Sequence, residues 1–237
     1  MAYRIEHAGV SRSFPDDHAF LSAASRASAH AAAGTHVHAA AHADGQVGVV
    51  YLGEDAGAAY HAATVSSDAA FVAIELGTEC LGVHTGEDDG PDNVVGFARF
   101  RLGDAEPTAL VELVKKPNTR PAALDAARAA FEASGLVVAV CNDFPGRILD
   151  RLIRPYYNAA LRRLDDGLAS AADMDKTLRL GLGYPEGPIA LLNRTGLHHH
   201  HAVTQALYEA LGEQAYVPAR RAQVAHARHT LTSRKGP

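Results

Sequence analysis

A few residues in this chain have types and spacings that can do chemistry. Glu112 sits between Leu110, Val111, Leu113 and Val114. A carboxylate buried in such an apolar run must be paired or titrate unusually high. Two readings follow: an acid/base group, or an edge-strand side chain that faces solvent or pairs with Arg99 or Arg101. Cys80 has one local base in reach, His84, four residues on. A nucleophile needs that base held in place, and small buried thiols account for Cys80 and Cys141 more simply. Fourteen histidines raise the question of a metal. In the tetrad His198 to His201 only His198 and His201 share a helix face, and His36, His38 and His42 gather near Asp44-Gly45. Structural and catalytic zinc both require three or four convergent ligands, and no H-E-x-x-H occurs, so a solvated polar face is the expectation. There is also no G-x-G-x-x-G, G-x-S-x-G or P-loop pattern. Gly181, Gly183 and Gly187 come nearest to a dinucleotide fingerprint, but the last spacing is wrong and they read as a helix stop and turn.

The elements that must position these residues fall into two halves. Runs at 47–52, 71–76, 94–100, 110–114 and 136–140 are short, apolar and rich in Val, Ile and Phe, which favours strands. Between them lie helix candidates: an Ala-rich stretch capped by Asp16 and Asp17 and ending near Gly34, and a segment opened by Thr119 and Pro121 and closed at Ser134-Gly135. From 147 to 166 apolar residues recur every three or four positions, with Pro155 inside the stripe. Ser170 and Asp173 have capping-box spacing, Pro188 starts a short helix, another spans His198 to Leu211, and a last one follows Pro218. The expected architecture is an α/β layer followed by a helical bundle.

Composition bounds the function. The chain has 237 residues, 47% hydrophobic and 21% charged, with net charge −5. There is no basic excess for nucleic acid or an anionic membrane. Two cysteines make no disulfide framework, and no apolar run approaches the roughly 20 residues of a membrane span. A cytoplasmic protein is the expectation.

The stretch 143–161, D-F-P-G-R-I-L-D-R-L-I-R-P-Y-Y-N-A-A-L, resembles the start of the helical C-terminal domain of 3-hydroxyacyl-CoA dehydrogenases. The stretch 175–192 resembles that family's R-L-G-L-G-Y-P-x-G-P-x-x-L-L signature. Asn93-Val-Val-Gly-Phe97 and Leu110-Val-Glu-Leu-Val114 are similar to its V-V-G-L-H-F-F-N-P and L-V-E-V-V strands. The resemblance runs from about 71 to 235.

It implies a shortened Rossmann-like domain over 1–142 and a helical, dimerising substrate domain over 143–237, with an acyl-CoA thioester between them. It also implies NAD as hydride carrier and a His–Glu pair for the hydroxyl proton. Residue by residue, however, Ala98 stands at the histidine, Glu112 at the carboxylate, Thr78 in the serine-bearing turn with Glu79 and Cys80 beside it, and Asp150 at a substrate-contacting Asn. Three expectations follow. The first is a diverged homologue that keeps a cleft for an acyl-CoA-type ligand but lacks the normal NAD site and catalytic histidine. The second is an NAD-dependent oxidoreductase with a rebuilt site. The third is a non-catalytic dimeric interaction module. No metal site and no nucleic-acid partner are expected.

Overall fold

The computed structural model describes residues 2–15, 17–23, 47–63, 68–87 and 90–234. They form two compact units, one of residues 1–100 and 107–147, the other of 101–106 and 148–237.

The first unit is built on a six-stranded sheet in sequential order: β1 (Tyr3–His7), β2 (Gly48–Leu52), β3 (Val72–Glu75), β4 (Val94–Arg99), β5 (Leu110–Lys115) and β6 (Val137–Asn142). The five expected strands all form. Strand β1 is not one of the apolar runs, because Arg4, Glu6 and His7 interrupt it; it pairs in parallel along all five residues of β2. Neighbours are parallel except β4 and β5, which a short reversal between Phe100 and Ala109 makes antiparallel. Strand β2 is buried throughout, because the sheet is covered on both faces. One face packs Val50, Leu52, Val95, Phe97 and Leu113 with Phe131 of α3 (Pro121–Glu132); the other packs Tyr51, Ile74 and Val94 with Tyr60 of α1 (Ala56–Ala62). Helix α2 (Gly82–Thr85) is one short turn, whose first N–H groups meet the Asp143 carboxylate at 2.7 Å.

Two expected details change. Helix α3 is capped at Arg120, not Thr119; the Thr119 hydroxyl instead accepts from the Lys116 N–H at 2.8 Å, holding the preceding turn. Of the Ala-rich stretch expected to Gly34, residues 19–23 are helical. The remainder, with Asp16, His36, His38 and His42, lies outside the described residues.

The second unit contains α4 (Leu149–Asp165), α5 (Ala171–Leu182), α6 (Pro188–Thr195), α7 (Leu197–Leu211), a 3-10 turn (Gln214–Tyr216) and α8 (Arg220–Ser233). Each boundary has a local cause. The Ser170 hydroxyl accepts from the Asp173 N–H, as the capping spacing predicts. Gly183, at φ +70°, ends α5 in the left-handed region. Gly187 lies against Asp175, where a Cβ would overlap the carboxylate that takes the Ile189 and Ala190 N–H groups at 2.9 Å. Pro155 is tolerated inside α4 because its missing N–H is replaced: the carbonyl of Arg151, four residues earlier, accepts from the Tyr216 hydroxyl at 3.2 Å. Among the described residues no helix is long and apolar enough to cross a membrane.

Candidate functional site

In the sheet register Ala98 and Glu112 are direct partners across β4 and β5. Glu112 is 2% exposed and lies in a strand flanked on both sides, which corrects the expectation of a solvent-facing edge residue. The cation beside it comes from a residue not singled out in the sequence. Arg147 reaches the Glu112 carboxylate through Nε at 3.3 Å and donates from Nη2 to the Gly77 carbonyl at 2.7 Å. Its backbone is the one non-glycine position with positive φ among the described residues, at 51°, and its Nη1 is buried without a hydrogen-bond partner. The preceding Gly146 donates its N–H to the Thr78 carbonyl at 2.9 Å. Thr78, Ala98, Glu112 and Arg147 are therefore tied together within one unit.

Chemically, an arginine beside a carboxylate differs from a histidine. A guanidinium stays protonated throughout the physiological range and only donates hydrogen bonds, so it cannot take up a proton as an imidazole can. The neighbouring thiols are not poised as nucleophiles either. Burial and the nearby carboxylates Glu112 and Asp143 push Cys141 up to about 11. Burial, then Asp143, Glu87 and Glu79, push Cys80 to about 11. His84 lies 3.4 Å from Glu79.

A dinucleotide, if bound in the Rossmann manner, would lie across the carboxyl ends of the parallel strands, its pyrophosphate on N–H groups of the turn after the first strand. In this chain the turns at that end of the sheet are bonded to one another through Glu75. Glu75, the last residue of β3 and 7% exposed, accepts from the Ser13 N–H at 2.7 Å and the Ser11 hydroxyl at 3.0 Å, both in the turn after β1. Its other oxygen takes the Gly53 N–H just past β2 at 2.7 Å. The Ser13 hydroxyl accepts from the Arg99 N–H at the end of β4, at 3.1 Å, and Phe14 stacks on Phe20. Close approach is required there: at Gly53, φ +127°, a Cβ would overlap the Ala8 carbonyl. A doubly wound sheet places its ligand where strand order reverses; among the described residues the order runs β1 to β6 without reversal.

Asp150 belongs to the second unit. It pairs with Arg154 at 2.7 Å, and the pair is buried: Arg154 is 2% exposed. Arg154 continues to His200 Nδ1 at 3.2 Å, and His200 Nε2 lies 3.1 Å from Asn158 Oδ1. Since a guanidinium only donates, Nδ1 accepts and Nε2 carries the proton. Burial first, then the Arg154 charge, lowers His200 to about 3, so it is neutral at pH 7.

The tetrad also departs from a solvated polar face. His200 is buried, while His198 and His201 stack on His229 and His226 of α8, with centroids 4.0 and 4.2 Å apart. The signal was present as two H-x-x-H spacings, at 198/201 and 226/229, but only the hairpin of α7 and α8 brings them together. The same unit holds a cavity of about 330 Å³, with Leu161, Ile189 and Val224 in its walls alongside Arg220, Arg221 and Arg228.

Comparison with known proteins agrees with this architecture. The 3-hydroxyacyl-CoA dehydrogenase C-terminal domain matches residues 146–236. Over residues 146–236 the chain carries the C-terminal domain of the 3-hydroxyacyl-CoA dehydrogenase family. It is 33% identical over 130 residues to a 3-hydroxybutyryl-CoA dehydrogenase of Bradyrhizobium diazoefficiens, covering 55% of this chain and 44% of that protein. It is 40% identical over 88 residues to human mitochondrial hydroxyacyl-coenzyme A dehydrogenase, covering 37% and 28%. The (S)-3-hydroxybutyryl-CoA dehydrogenase structure from Ralstonia eutropha superposes with a TM-score of 0.64 at 24% identity, covering 77% of this chain and 65% of that one, and shares the fold. The matched stretch thus spans less than half the length of these curated relatives.

Proposed function

We propose that this protein binds an acyl-CoA-type ligand and does not carry out hydride transfer with an NAD held in the Rossmann manner. The observation that carries this reading is Glu75. Its carboxylate takes the N–H groups of Ser13 and Gly53 at the carboxyl ends of the strands, where a pyrophosphate would need them. A second anion there would meet a buried charge of its own sign. Ala98 opposite Glu112 supports the same reading, since the proton acceptor implied for that position is a methyl group.

The ligand class rests on the family's C-terminal domain and on the arginine-bearing apolar cavity of the helical unit, which suits an apolar chain joined to phosphate groups. Thr78 and Asp150 are the substrate-side residues of this reading, Glu112 with Arg147 the polar centre. Exposed Leu152, Leu168, Leu180 and Leu182 on the helical unit support a homodimer through that unit. Free thiols at Cys80 and Cys141 support a reducing, cytoplasmic setting.

The test is a titration of the whole chain with NADH by fluorescence, with acetoacetyl-CoA turnover and calorimetric binding of the same thioester in parallel. The expected result is thioester binding with neither NADH binding nor turnover. NADH binding accompanied by turnover would establish the rebuilt oxidoreductase instead, and binding of neither ligand would leave the dimeric interaction module.

A further inference from the structure

The turn that reverses the chain between β4 and β5 does more than connect them. Residues 101–106 belong to the helical unit, where Asp104 donates its N–H to the Thr195 carbonyl at 3.0 Å, at the end of α6. Gly103, at φ +55°, lies so close that a Cβ would overlap that same carbonyl. The Arg101 Nε closes the loop on the Ala105 carbonyl at 2.7 Å. This backbone arrangement sets the Asp104 carboxylate 2.8 Å from His199 Nε2, in the first turn of α7. His198 lies beside it, with ring centroids 4.0 Å apart. One ligand atom from each of Asp104, His198 and His199 falls within 4.8 Å of the others.

We propose that Asp104, His198 and His199 form a binding site for a divalent transition metal of the zinc class, which staples the 101–106 loop to the start of α7. Two imidazoles and a carboxylate are a donor set suited to zinc, cobalt or nickel, with a coordination position left for water. His229, stacked on His198 at 12°, is a further imidazole at the edge of the site. The ligands are accessible, since Asp104 is exposed and both histidines are half-buried. None of this depends on the reaction the protein performs.

The test uses the whole chain, stripped with chelator and titrated calorimetrically with Zn²⁺; Co²⁺ replaces zinc where a visible spectrum is needed. The expected result is saturable binding of a single equivalent, accompanied by a rise in melting temperature. Asp104→Ala and His199→Ala each weaken binding by about tenfold or more, while His201→Ala, on the same helix but paired with His226, leaves it unchanged. Asp104→Asn gives a second variant that keeps the side chain's shape, with the Co²⁺ spectrum as readout. Absence of saturable binding overturns the proposal. So does binding that survives Asp104→Ala and His199→Ala, as it would through His36, His38 and His42, or binding lost equally in His201→Ala.

Discussion

Each unit of this chain buries an arginine against a carboxylate, and the two pairs are completed to different degrees. In the helical unit Arg154 bonds Asp150 and His200, His200 bonds Asn158, and Asn158 goes on to the Ala215 carbonyl and the Ala219 N–H. No buried side-chain atom in that series lacks a partner among the described residues. In the α/β unit Arg147 bonds Glu112 and Gly77 but leaves Nη1 buried and unpartnered, from a backbone at φ 51°. A completed polar series holds helices in one arrangement; a strained and incomplete one is where a protein has given up local stability. The incomplete pair is also the one standing opposite Ala98, where the family resemblance places chemistry.

Mutations can separate the two. Arg154→Leu strands Asp150 and His200 together and is expected to cost the most, about 3–5 kcal/mol in chemical denaturation. Acid comes next. The folded value of His200, about 3, lies below the ordinary 6.5, so the unfolded chain takes up that proton first as pH falls. The stabilisation is complete above the unfolded value and disappears towards the folded one, at about 1.4 kcal/mol per pH unit. Denaturation series at several pH values should show this slope reduced in His200→Gln, while His198 and His201, also lowered by burial, titrate in both proteins. Arg147→Leu should cost less than Arg154→Leu, about 2 kcal/mol, because the loss of the Glu112 pair is partly offset by removing an orphaned donor. Equal losses in the two arginine variants would erase the contrast.

Legibility in the sequence followed the range of the interactions. Helices α4 to α8 could be read closely because their signals are local: the Ser170 cap, the Gly183 stop, Pro188 at a helix start. The core strands could be read from branched apolar runs. Strand β1 could not, since Tyr3, Arg4 and Glu6 become a strand only by pairing with buried β2. Glu112 was visible as an anomaly, but its partner was not, because Arg147 lies 35 positions away and reaches it only through tertiary packing.

By itself, then, the order of residues determined the run of strands followed by the run of helices and the likeness to the 3-hydroxyacyl-CoA dehydrogenase C-terminal domain, because periodicity, caps and motifs act over a few positions. Tertiary structure alone decided that Glu75 would take the N–H groups after β1 and β2, that Arg147 would pair with Glu112, and that four histidines would stack between α7 and α8. Each of these joins groups far apart in sequence, and their desolvation and hydrogen bonding take effect only once the sheet and the helical hairpin have closed around them.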